Sequence, residues 1–126
     1  VQCLVLVGVP AHMEDVYRKI FATGYNPTGI SIRVHSNGRV TKLRPQFWED
    51  IKQHDLLLAI RSIHCPILFV HAGNDEKVPL AEMEAYFIQA NPPKEKIVIA
   101  GADHGWKTKR EEMFNATVHW CKKYLV

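Results

Sequence analysis

An aspartate and a histidine, each set just past a short apolar run, are the residues of this chain best placed to do chemistry. Asp75 lies in Gly73-Asn74-Asp75-Glu76-Lys77-Val78-Pro79 after the run Ile67 to Val70. His104 lies in Gly101-Ala102-Asp103-His104-Gly105-Trp106 after Ile97 to Ala100, 29 positions further on. Taken singly, each has a plainer reading, since Asn and Asp favour turns and caps and a lone loop histidine is more often structural. Taken as a pair, they resemble the acid and base of a hydrolytic triad. A carboxylate accepting from Nδ1–H fixes the imidazole tautomer and leaves Nε2 free to draw a proton from a hydroxyl. Asp103 is expected to cap its own loop, because a sequence neighbour points away from the working nitrogen.

The elements that would position this pair are legible in the apolar pattern. Cys3 to Val7, Ile67 to Val70 and Ile97 to Ala100 are continuous apolar runs, which predicts parallel strands buried on both faces. Pro79 suits a first helical turn, with Leu80, Met83, Tyr86, Phe87 and Ala90 on one face and Asn91-Pro92-Pro93 as the stop. A last helix from about Lys109 to Leu125 would align Met113, Thr117, Trp120, Cys121 and Tyr124. Strand and helix in alternation argue for right-handed βαβ units, with Asp75 and His104 in loops at the carboxyl ends of neighbouring strands.

One segment breaks this rhythm. Ile30, Ile32 and Val34 alternate with polar residues, and Asn37-Gly38 precedes Val40 to Leu43, which predicts an antiparallel hairpin closed by a two-residue turn. A helix from Gln46 to about Ile60 follows, and residues 29–60 are expected to form an insert, with the loop Ala22 to Gly29 as its hinge.

Composition narrows the classes. At 126 residues, 47% hydrophobic and 23% charged, the chain has the make-up of one soluble domain at most. The net charge of +3 is spread without a basic stripe, so no nucleic-acid partner is expected. No apolar stretch approaches the ~20 residues of a membrane span, and a cytoplasmic location without membrane contact is expected. Cys3, Cys65 and Cys121 form no CxxC pair and are read as buried reduced thiols. His71 is read as structural, and the remaining histidines show no converging ligand spacing, so neither a metal nor a cofactor is expected. A strand beginning two or three residues from Val1 suggests that a further segment precedes it.

The two loops and the first strand resemble the C-terminal half of an α/β-hydrolase fold serine hydrolase, of the feruloyl or cinnamoyl esterase and serine aminopeptidase-like type. Gly73-Asn74-Asp75 with Val78-Pro79 matches the acid loop of that family, Gly101-Ala102-Asp103-His104 its histidine loop, and Cys3 to Val7 the strand after the nucleophile helix. The resemblance implies a partial α/β-hydrolase fold, with three parallel strands, flanking helices and an inserted hairpin lid. It maps Asp75 and His104 as triad acid and base. Phe47 and Trp48 then become candidates for an acyl or aryl pocket in a hydrolase of carboxylic esters or peptides, with core packing as the alternative. The departure from the family is the nucleophile: Ser31, Ser36 and Ser62 are the only serines, and none lies in Gly-x-Ser-x-Gly. The isolated chain is therefore expected to be inactive, lacking nucleophile and oxyanion hole together. The alternative is a truncated or degenerate hydrolase domain serving as an interaction module. Either way, the edge of Cys3 to Val7 is expected to take a partner, whether a second copy or a separately supplied N-terminal half.

Overall fold

Alternation along Ile67–Ala72 decides how most of the chain packs. All six residues of this strand are buried. Ile67 and Phe69 enter one apolar cluster, whereas Leu68, Val70 and Ala72 enter another. Period-two side-chain direction thus feeds two cores from one strand, as a sheet covered on both faces requires.

The computed structural model describes residues 1–125. The elements in order are β1 (Leu4–Val7), α1 (Met13–Phe21), β2 (Ser31–Val34), β3 (Val40–Leu43), α2 (Pro45–Ile51), α3 (Leu56–Arg61), β4 (Ile67–Ala72), α4 (Leu80–Gln89), β5 (Lys94–Ile99) and α5 (Arg110–Tyr124), with a short 3-10 turn at Ala22–Gly24. Two compact units are formed: Val1–Ala11 with Leu56–Val126, and His12–Asp55. Among the described residues, no helix is long and apolar enough to cross a membrane.

The first unit holds a parallel sheet in the order β1-β4-β5, with Leu4 opposite Ile67 and Val70 opposite Ile97. On one face α3 and α4 bring Ile60, Met83, Tyr86 and Ala90 against Ile67 and Phe69. On the other, Trp120 of α5 packs with Leu68, Val70, Ala72, Ile99 and Trp106. Each fully buried large apolar side chain contributes ~1.5–3 kcal/mol. The expected helix faces are observed, except that Leu80 at the start of α4 is exposed. β5 starts at Lys94, ahead of the apolar run, because this outer strand keeps Glu95 and Lys96 in solvent. Lys94 Nζ donates to the Phe87 and Ala90 carbonyls, holding its start against the end of α4. The three cysteines are reduced, as expected, but half-buried rather than buried.

The second unit contains the antiparallel hairpin β2–β3, with Val34 opposite Val40. Its turn has three residues, not two. Gly38 N–H donates to the His35 carbonyl and His35 N–H to that of Arg39, with Gly38 at φ 81° and Asn37 outside the positive-φ region. That is a type I turn closed by a left-handed glycine, the next commonest hairpin solution. The core here is Phe21, Trp48 and Ile51, bordered by Tyr17, Tyr25 and Phe47. The unit runs from His12 to Asp55, so it includes α1 and stops short of α3. The single helix expected over residues 46–60 is instead α2 and α3, because Trp48 and Ile51 belong to this core and Ile60 to that of the other unit.

Candidate active site

Two loops at the carboxyl ends of β4 and β5 are stitched together by their main chains. Gly73 N–H donates to the Ile99 carbonyl at 2.9 Å and Asn74 N–H to that of Ala102 at 2.9 Å. The Glu76 carboxylate accepts the His104 N–H at 3.2 Å. These bonds set the spacing of Asp75 and His104 before either side chain interacts.

The side chains then meet. His104 Nδ1 lies 2.9 Å from Asp75 Oδ2 and 3.1 Å from Oδ1. A carboxylate can only accept, so Nδ1 carries the hydrogen and Nε2 presents its lone pair. Nε2 has no hydrogen-bond partner among the described residues, and the His104 side chain keeps 33% exposure against 2% for Asp75. A buried carboxylate orienting a half-exposed imidazole can support proton transfer at Nε2.

Burial works against the charged form of Asp75. The Val78 N–H (2.8 Å to Oδ1), the His104 hydrogen bond, the Lys77 N–H (2.9 Å to Oδ1) and the positive charge available to His104 together outweigh it, holding the carboxyl below its usual range. Asp75 is thereby kept as the anion. His71, on β4 and fully buried, donates from Nε2 to the Val78 carbonyl at 2.8 Å.

Trp106 anchors the histidine loop. Its ring is buried in the cluster of Trp120, Ile99 and Ala102, while its backbone sits at φ 54°, a conformation bulky residues rarely adopt. Such strain, of order 1–3 kcal/mol, persists only where packing over-determines it. The Asp103 carboxylate accepts the Lys107 N–H at 2.9 Å and so closes its own loop. Gly8, just after β1, completes the surroundings: a Cβ there would lie 3.7 Å from Asp75 Oδ2 and 4.0 Å from the His104 ring. The Gly8 loop is held by Tyr86, whose hydroxyl donates to the Pro10 carbonyl at 3.0 Å and whose pKa burial pushes up to about 12.

Sequence reasoning singled out Asp75 and His104 but missed Gly8 and Glu76. Gly8 carried a signal, a glycine directly after an apolar run. Glu76, one of several acidic residues near a turn, carried none. Phe47 and Trp48 lie in the second unit: Trp48 is 1% exposed with Nε1 committed to Ser31 Oγ at 2.9 Å, and Phe47 is half-buried against Tyr17 and Trp48. Ser31 Oγ also accepts the Asn26 N–H and donates to the Asn26 carbonyl, and Ser62 Oγ donates to the Ala59 carbonyl, so neither is poised as a nucleophile. Among the described residues, no group of three His, Cys, Asp or Glu side chains could hold a metal ion.

The sheet, its covering helices and the inserted hairpin define a partial α/β-hydrolase fold, and comparison with solved structures bears this out. The chain superimposes on the esterase domain of a Rhodothermus marinus protein with a TM-score of 0.77 and 24% identity, over 100% of this chain and 53% of that one. For Est1E from Butyrivibrio proteoclasticus, solved with ferulic acid bound, the TM-score is 0.80 at 19% identity, over 99% of this chain and 50% of that one. The alpha/beta hydrolase GrgF from Penicillium sp. sh18 gives 0.71 at 14% identity, over 99% and 56%. The chain spans about half the length of these structures. No protein-family model and no curated protein sequence matches it.

Proposed function

We propose that the chain is the acid–base half of a serine hydrolase acting on carboxylic esters, with Asp75 as triad acid and His104 as base. The observation that carries this reading is the 2.9 Å contact between His104 Nδ1 and buried Asp75 Oδ2, with Nε2 left unbonded among the described residues. In the proposed reaction Nε2 takes the proton of a serine hydroxyl as its oxygen attacks the ester carbonyl. The same proton then passes to the departing alcohol, and a water activated at Nε2 releases the acid and restores the serine. That serine, in a Gly-x-Ser-x-Gly turn, is to be supplied by another segment, since the three serines present are outside any such motif. The ferulic acid bound to one matched structure favours an aryl-carboxylic ester as substrate, and Phe47 is the aromatic candidate that keeps accessible surface.

The free edge of β1 favours a second reading, an interaction module built on the hydrolase fold and lacking activity of its own. β1 pairs with β4 on one side and has no strand partner on the other among the described residues. The two readings part on one experiment. The chain is mixed with the nucleophile-bearing half of a matched esterase domain and assayed with a chromogenic aryl ester. Hydrolysis absent from either half, and abolished by His104→Ala, is expected under the first reading. Binding of the two halves without His104-dependent turnover would select the second.

A further inference from the structure

We propose that His71 is a positioning residue for the Asp75–His104 pair: its buried imidazole holds Val78 so that the Val78 N–H keeps the Asp75 carboxylate aimed at His104. The inference rests on reading Asp75 and His104 as an acid–base pair. The Val78 carbonyl can only accept, so the 2.8 Å contact places the hydrogen of His71 on Nε2. Val78 is itself buried at 3% exposure, and its own N–H donates to Asp75 Oδ1 at 2.8 Å. One residue is thus gripped at its carbonyl by His71 while its amide grips the carboxylate. The same His71 Nε2–H stands 3.9 Å from Asp75 Oδ2, beyond hydrogen-bond range but favourable in sign to the anion.

The other ring nitrogen sharpens the point. Nδ1 of His71 is buried with no hydrogen-bond partner among the described residues. An apolar side chain of similar volume would fill this site with no second polar atom to satisfy, so what an imidazole adds here is the Nε2 donor. Because β4 ends at Ala72 and the loop must turn back to start α4 at Leu80, a donor one residue before the strand end is placed to span the turn and fix its far side.

The test is nuclear magnetic resonance on the full chain labelled with ¹⁵N in histidine, and it does not depend on ester hydrolysis. In the unsubstituted chain, His71 is expected to be protonated on Nε2 and bare on Nδ1, with His104 showing a far-downfield Nδ1–H resonance from its bond to Asp75. His71→Leu should broaden or remove that resonance and speed hydrogen exchange at the Val78 amide about tenfold, on the scale of one lost hydrogen bond. His71→Gln, whose side-chain amide can donate from nearly the place of Nε2, should restore both. A folded His71→Leu chain with the His104 resonance and Val78 exchange unchanged would overturn the proposal. If that variant does not fold, the unsubstituted chain still decides: a His71 proton on Nδ1 with Nε2 bare overturns it. Failure of the complementation assay with these signals intact would instead reject the catalytic reading alone.

Discussion

Asp75 and Asp103 show what a residue's neighbours add to its type. Both are aspartates in short loops after a strand, but Asp103 closes a turn through the Lys107 N–H while Asp75 faces an imidazole. Because the Asp75 pKa is lowered on folding, its contribution to stability is present above the unfolded carboxyl value, 3.8 for an ordinary aspartate, and is lost as pH falls through the lower folded value. Asp75→Asn is therefore expected to cost about 1.5–3 kcal/mol near neutrality, as for a hydrogen bond to a charged group. It should also flatten the acid limb of the stability profile. Urea titrations at pH 7 and in the acid range would measure both, and an unchanged acid limb would remove Asp75 as the group responsible. Gly8 makes a second point at this scale. At φ 58° it has no strain-free replacement, and an added Cβ would lie 3.7 Å from Asp75 Oδ2. Gly8→Val should destabilise the chain by more than ~1 kcal/mol and perturb the His104 Nδ1–H resonance, whereas Gly38→Val, in an open hairpin turn, should leave that resonance in place.

At the scale of elements, the histidine loop depends on Trp106. Trp106→Ala removes a buried ring and should cost about 3–5 kcal/mol. Trp106→Gly loses the same ring but relieves the positive φ, so it should be the more stable of the two by about 1 kcal/mol, the reverse of the usual order. Denaturation midpoints of the two variants measure the difference, and alanine proving equal or better would show that the φ of 54° carries no strain. The same scale shows how far the pattern of the chain could be read. Strands β1 and β4, helices α4 and α5 and the hairpin follow from apolar runs, periodicity and turn residues, because burial alone specifies them. The division between α2 and α3 does not, since residues 52–55 hold neither Gly nor Pro and the break follows from service to separate cores. Helix α1 was not anticipated, although Glu14 and Asp15 in its first turn and Arg18 and Lys19 in its last complement the helix dipole. The site divides likewise: Asp75 and His104 are readable because their loops follow strands, whereas the Gly73, Asn74 and Glu76 bonds that set their spacing exist only once those loops lie side by side.

Seen as a whole molecule, β1 is an outer strand of apolar residues with one hydrogen-bonded neighbour among the described residues. Such an edge templates further pairing. The chain is expected to self-associate as its concentration rises, and sedimentation velocity across a hundredfold range would record it. Adding the nucleophile-bearing half should suppress that association if both compete for β1. A single monomeric species throughout would assign the edge no such role.

The interruption of the first unit carries a different kind of consequence. Ala11 and Leu56, the residues on either side of His12–Asp55, pack on the same cluster as Phe69 and Met83. The sheet unit gathers Gly8, Asp75 and His104 without drawing on residues 12–55. Under the proposed acid–base reading, residues 12–55 can vary in sequence while the contact between Asp75 and His104 is kept within the other unit. A chain with residues 12–55 replaced by a short glycine-rich linker should keep the His104 Nδ1–H resonance.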